Sequence, residues 1–97
     1  MSQVGAPKLS QIIRSFTFPQ IQNLLADHKG GYCIMGGLYK YFGYDFAIAK
    51  EFSTDSIPAY REIKKLCGDI SLHHLIDMNN SGSTFDEIAD YVESQGL

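Results

Sequence analysis

No apolar run in this chain approaches the roughly 20 residues that a membrane-spanning helix requires. Its first residues, Met1-Ser2-Gln3-Val4-Gly5-Ala6-Pro7, show no basic segment leading into an apolar stretch. The first absence excludes a helical span, and the second argues against a secretion signal. Cysteine is scarce: Cys33 and Cys67, without an export signal, are expected to be reduced thiols of a cytoplasmic protein. There is no C-x2-C or H-x3-H pair to begin a zinc site, and the adjacent His73 and His74 would point about 100° apart on a helix. Strand-like alternation, internal repeats and low-complexity tracts are also missing. What remains is helical periodicity.

Basic charge is thin as well. The net charge is −3, unevenly spread. Residues 1–44 carry four basic groups and one acid, for +3, and residues 45–97 carry four basic groups and ten acids, for −6. The longest basic cluster is Arg61, Lys64 and Lys65, short of the stripe a nucleic-acid binder presents. A solvated surface of mixed sign is the plainer reading. Ninety-seven residues, 44% hydrophobic and 20% charged, fit one domain spanning 1–97, with residues 1–6 expected as a loosely ordered N-terminus.

Apolar spacing is helical along nearly the whole chain. Leu9, Ile12, Ile13 and Phe16 follow the i, i+3, i+4, i+7 pattern behind Pro7. Thr17-Phe18-Pro19-Gln20 reads as a capping box opening a second helix, with Phe18, Ile21, Leu24, Leu25 and His28 inward and Gly30-Gly31 as its stop. A third helix is predicted from Cys33 to Phe42, closed by Gly43. Asp45 caps a short fourth helix carrying Phe46, Ile48, Ala49 and Phe52. Beyond the polar linker Ser53-Thr54-Asp55-Ser56, Pro58 lies in the first turn of a fifth helix, with Tyr60, Ile63, Leu66 and Cys67 inward and Gly68 at its end. Asp69 or Ser71 caps a sixth, carrying Leu72, Leu75 and Ile76. Thr84 and Glu87 form a second capping box before a last helix lined by Phe85, Ile88, Ala89 and Val92. The expected fold class is all-α, an irregular bundle of about six to seven short helices.

Three segments invite a chemical reading. Gly30 to Leu38 holds Cys33, Gly36 and Gly37, and two glycines inside a helix cost it roughly 1 kcal/mol each relative to alanine. A close approach by another helix against Cys33, Gly36 and Gly37 would offset that cost. The competing reading makes Cys33 a nucleophile activated by a helix N-terminus and His28, in a chain with little mass for a substrate site. Asp77, Asn79, Ser81 and Gly82 resemble the start of an EF-hand calcium loop at positions one, three, five and six. Glu87, however, is eleventh where the bidentate acid belongs twelfth, a rotation of about 100°. The competing reading is a polar turn between two capped helices. Phe85, Glu87, Ile88 and Ala89 resemble the first helix of a helix-turn-helix reader, yet no recognition helix is expected after Gln95-Gly96-Leu97.

Leu9-Ser10-Gln11-Ile12-Ile13-Arg14, Gly31-Tyr32-Cys33-Ile34-Met35-Gly36-Gly37 and Leu75-Ile76-Asp77-Met78-Asn79-Asn80 followed by Thr84 to Glu93 together resemble a group of small uncharacterised bacterial and phage proteins. That group has a Cys-Ala-Leu-Gly-Ala segment and a closing Glu-x-Ile-Ala-Asp helix. This chain departs at Asn80, where the group tends to have Asp. The resemblance implies a common fold and supplies no catalytic or binding residue, because no activity is known for the group.

With no convergent acid–base set, phosphate loop or metal cage in the sequence, the expectation is a non-enzymatic module without a cofactor, binding another protein or itself. Tyr32, Tyr39, Tyr41 and Tyr44 form the candidate interaction surface. With Phe42 they put five aromatics in 13 residues, too many directions for one core to receive. Cys33-dependent chemistry, calcium binding at Asp77, Asn79, Ser81 and Glu87, and a nucleic-acid role for Arg61, Lys64 and Lys65 are the rivals.

Overall fold

Four of the helices begin where a side chain, that of Gln11, Cys33, Asp45 or Thr84, takes up an orphaned backbone N–H. The computed structural model describes residues 7–97; the expected looseness of residues 1–6 lies outside the described residues. The helices are α1 (Leu9–Arg14), α2 (Ile34–Tyr41), α3 (Phe46–Ala49), α4 (Ile57–Cys67), α5 (Leu72–Asn80) and α6 (Phe85–Ser94), with a 3-10 turn at Thr54–Ser56. The fold is an all-α bundle of short helices.

Thr84 Oγ1 accepts from the Glu87 amide at 3.1 Å while the Glu87 carboxylate accepts from the Thr84 amide at 2.8 Å, closing the predicted capping box of α6. Asp45 caps α3 by accepting from Ala47 N at 2.9 Å. Pro58 stands in the first turn of α4, where its missing N–H costs nothing. Gly68, at φ +55, ends that helix in a conformation a side chain would strain.

The central helix is α2, which packs against α1, α3, α4 and α5, while α1 lies along α6. Their shared core includes Leu9, Ile12 and Ile13 of α1, Ile34 and Leu38 of α2, Ile63 and Cys67 of α4, Leu75 of α5, and Ile88 and Val92 of α6. On the outer rim Arg14 bridges Asp90, at 2.8 Å, and Glu93. Such exposed pairs contribute at most about 1 kcal/mol each, so apolar burial holds α1 on α6.

The predicted second helix is absent. Residues 15–33 form an irregular connection without a helical turn, crossing itself at isolated bridges that pair Tyr32 with Gln20 and with Ala26. Tyr32 N donates to Pro19 O at 2.9 Å, Ile21 N to Tyr32 O at 3.1 Å, and Asp27 N to Gly31 O at 3.0 Å. Gln20 does not reach back to Thr17. Its amide donates to Asn79 Oδ1 at 2.8 Å and Ser83 O at 2.7 Å, and its oxygen accepts from Phe85 N at 2.8 Å. Tertiary bonds thus replace the helical ones, and local propensity is a weak prior against them.

The glycines of α2 explain where that connection lies. A Cβ on Gly36 would stand 1.8 Å from the backbone oxygen of Leu25, and one on Gly37 2.7 Å from the Phe18 ring and 2.8 Å from that of Phe16. The close neighbour expected here was a helix. It is the irregular connection instead, because an extended strand of backbone can come nearer to a helix than another helix can. Replacing a mid-helix glycine by alanine ordinarily stabilises by about 1 kcal/mol. Gly36→Ala is expected to do the reverse, lowering stability by about 2 kcal/mol or more as Leu25 is displaced. A urea midpoint equal to or above that of the wild type would refute this.

Candidate functional site

The residues singled out in the sequence fall into two places, a polar junction under α2 and an aromatic shelf around α3. At the junction, Asn79 is fully buried near the end of α5. Its Oδ1 accepts from Gln20 Nε2 at 2.8 Å and Ile34 N at 3.1 Å; its Nδ2 donates to Ile21 O at 2.8 Å and more weakly to Asn80 Oδ1 at 3.4 Å. Asn80 Oδ1 in turn accepts from Asn23 N at 2.9 Å, fixing Asn23 at φ +66. The calcium-loop reading fails on this geometry. Asp77 and Asn79 lie within α5, the Asn79 oxygen is taken by two protein donors, and Glu87 is held at its own capping box. Among the described residues no group of three or more His, Cys, Asp or Glu side chains gathers where a metal ion could be held.

Cys33 stands beside the junction, lining a cavity of about 230 Å³ with Leu24, Leu25, Met35 and Ile76. Its sulfur is the N-cap of α2, accepting from Gly36 N at 3.4 Å. Burial pushes the Cys33 thiol up, against the lowering effect of the nearby backbone N–H groups, chiefly that of Gly36. Burial also raises Cys67, on the inner face of α4. His28 is exposed on the connection between α1 and α2. The arrangement therefore gives Cys33 the environment of a packed cap, and a raised thiol pKa is the opposite of nucleophilic activation.

The tyrosines do not form the expected surface. Tyr32, Tyr39 and Tyr44 are buried, and only Tyr41 is exposed, at the edge of a groove with Ile12, Phe42 and Leu66. Tyr32 precedes α2 and turns under it, donating from its hydroxyl to Asp45 at 2.7 Å. Lys40 Nζ lies 3.8 Å from the same carboxylate and 5.5 Å from the centre of the Tyr32 ring. Tyr39 and Tyr44 clasp Phe46, with ring centres 5.2 and 5.1 Å from it. The Tyr44 hydroxyl donates to Glu51 O at 2.6 Å. All three thus have a packing or hydrogen-bonding role inside the protein.

Besides Tyr41, and Leu24, expected inward but exposed on the 15–33 connection, the exposed large apolar side chains lie next along the chain. Ile48 is 80% exposed, Phe52 57%, Ile57 42% and Tyr60 44%. The sequence reading put Ile48 and Phe52 on an apolar helix face and Tyr60 inward. The structure overturns this because α3 is a single turn, ended by Lys50 at φ +70, and one turn can bury only Phe46. Phe52 rests its ring on Phe46, centres 4.8 Å apart, with the rest in solvent. On α4 the buried positions are Ala59, Ile63 and Cys67, leaving Ile57 and Tyr60 on the flank. The one available sequence signal was the brevity of the Asp45–Lys50 segment, too short for a two-sided helix. Arg61, Lys64 and Lys65 are exposed on the same helix, with Lys65 paired to Glu62 at 3.2 Å. Among the described residues no helix is long and apolar enough to cross a membrane.

No protein-family model matches the chain, and no curated protein or solved structure matches it.

Two measurements test this description. Iodoacetamide at about pH 8 should leave both thiols of the folded protein unlabelled and label both in denaturant; labelling of folded Cys33 at the rate of a free thiol would overturn the packed-cap reading. The second concerns alkaline pH. Burial first, then the hydrogen bond and charge of Asp45, push the Tyr32 phenol from 10.0 up to about 12. A raised acid keeps its proton in the folded state, so its stabilisation is complete below the unfolded value and is lost as pH rises. Stability should fall between about pH 10 and 12, and Tyr32→Phe, though less stable at pH 8, should show a shallower fall there. Equal slopes for the two proteins would remove Tyr32 as the cause.

Proposed function

We propose that this chain is a non-enzymatic helical module that acts by binding another protein through the surface formed by Ile48, Phe52, Ile57 and Tyr60. The observation that supports this reading is the exposure, from 42 to 80%, of four large apolar side chains close along the chain between residues 48 and 60, on α3, the segment after it and the first turn of α4. Isolated apolar residues on a surface are ordinary, whereas a contiguous group marks a contact site. Tyrosine and phenylalanine suit such a site, because they present large rigid area with few rotatable bonds. The Cys33 alternative has against it the raised thiol, and the calcium alternative the use of Asn79 within the fold. Kinship with the bacterial and phage group belongs to the same proposal and extends to the fold alone.

The surface can be tested without knowing the partner. A photo-reactive phenylalanine analogue placed at Phe52 or Tyr60, in cells producing the protein, should give discrete covalent adducts that the same analogue at Gln95, exposed past the end of α6, does not give. Adducts of equal pattern and yield at all three positions, or none at Phe52 and Tyr60, would sink the proposal.

A further inference from the structure

We infer that the cavity beside Cys33 is a binding site for a small, neutral, mainly apolar molecule that carries a carbonyl oxygen at one end. The site is separate from the contact surface on α3 and α4 and does not depend on it. The cavity measures about 230 Å³, and burial is graded across its lining. Cys33, Met35 and Asn79 are buried and form its floor, Leu25 and Ile76 are half-buried, and exposed Asn23, Leu24 and Asn80 form its mouth. Chemically the floor is apolar. The side chain of Asn79 makes its four hydrogen bonds within the protein. Burial keeps the Cys33 thiol protonated, and a protonated thiol packs as a small hydrophobe. Among the described residues no charged side chain lines the cavity.

At the mouth the chemistry is one-sided. The Asn79 amide, oriented by Ile34 N and Ile21 O, turns its Nδ2 toward Asn80. Asn80 Oδ1 therefore faces that donor and the backbone N–H of Asn23, at 2.9 Å, and a flipped Asn80 would satisfy neither. Its Nδ2 keeps two N–H groups that donate to nothing among the described residues. A hydrocarbon covering those donors would remove their water and leave them unpaired, whereas a carbonyl oxygen accepts from them. A carboxylate would accept as well, but its charge would meet no counter-charge in the lining. The side chain of Asn23 makes no hydrogen bond among the described residues and is free to turn toward the same oxygen. A dry apolar cavity of about 150 Å³ admits benzene, so this one admits roughly nine non-hydrogen atoms, an aryl ring with a short carbonyl substituent. An apolar body held inside and a few polar groups that fix its orientation are the ordinary make-up of a ligand site.

Methyl-resolved NMR of the full chain tests this with three probes. Acetophenone is the neutral carbonyl compound, ethylbenzene the same shape without the oxygen, and benzoate the charged counterpart. Acetophenone should shift the methyl signals of Leu24, Leu25, Met35 and Ile76 saturably, with a dissociation constant of about 10 mM or below. The methyl signals of Ile48 and Ile57, on the contact surface, should not move. Ethylbenzene and benzoate should each bind several-fold more weakly. Asn80→Asp keeps an oxygen for the Asn23 N–H and removes both donors. With circular dichroism showing it folded, this variant should bind acetophenone no more tightly than ethylbenzene. Absence of saturable shifts, shifts centred outside the cavity, ethylbenzene binding as tightly as acetophenone, or an Asn80→Asp protein with the wild-type preference would each overturn the inference.

Discussion

The side-chain amide of Asn79 connects three parts of the chain that have no secondary structure in common. Its oxygen takes the N–H of Ile34, one of the donors that the start of α2 leaves without an intrahelical partner, and an N–H of Gln20. Its nitrogen supplies the carbonyl of Ile21. The fixed polarity of the two backbone partners dictates the amide's orientation, so no flipped arrangement satisfies both. Buried donors and acceptors left unpaired cost about 1–3 kcal/mol each, and a domain of this size has only about 5–15 kcal/mol of net stability. An aspartate would lose the donors and a leucine would lose everything, which leaves asparagine or glutamine chemistry as the only local solution. With so little regular hydrogen bonding of its own, the 15–33 connection relies on α2, α5 and α6 for its shape.

From that constraint the close contacts follow. Once Ile21 and Gln20 are tied to α5 and the start of α6, the chain returning through Leu25 passes directly over α2, and its carbonyl occupies the space that a side chain at position 36 would fill. Cys33 N also donates to Leu25 O at 3.3 Å, so the same carbonyl sets the entry to α2. The rings of Phe16 and Phe18 cover Gly37 and meet Phe85 of α6 at 5.2 and 5.8 Å between centres. The glycines of α2 are thus the steric counterpart of Asn79: one holds the connection by hydrogen bonds, the others make room for it.

Helix boundaries were legible in the sequence wherever the cap was local. Thr84 with Glu87, Asp45, Pro58 and Gly68 all act on residues within a turn of themselves, and each marks the end that its chemistry implies. Thr17 with Gln20 presents the same spacing and fails, and the difference is chemical. A carboxylate such as Glu87 only accepts, which suits a single backbone N–H. An amide also donates, and Gln20 uses that capacity to reach Asn79 and the carbonyl of Ser83 while accepting from Phe85. Those partners lie some sixty positions away and leave no trace in the local pattern. The tyrosines were misread for a related reason. Helical direction alone separates residues 39, 41 and 42, but Tyr32 is not on the helix, and Phe46 gives Tyr39 and Tyr44 a common place to pack.

The same balance of local and distant forces bears on function. Cys33 has the position that activates a thiol, the first residue before a helix of eight, and the backbone around it does lower its pKa. Burial outweighs that effect because the connection closes over the helix start and removes the water a thiolate needs. The connection that stabilises the fold therefore silences the residue best placed for chemistry. At the other end of α2 no such cover exists. The single turn of α3 stops at Lys50 after burying Phe46, and the chain reaches α4 with Ile48, Phe52, Ile57 and Tyr60 still facing water. A lengthened α3 or a second crossing segment would have buried them. Hydrogen bonds from Tyr44 to Glu51 and from Ser56 to Ser53 hold the segment in this outward arrangement. A surface that is apolar and held in shape before any partner arrives pays less ordering entropy on binding, which is why the weight of the functional argument rests there.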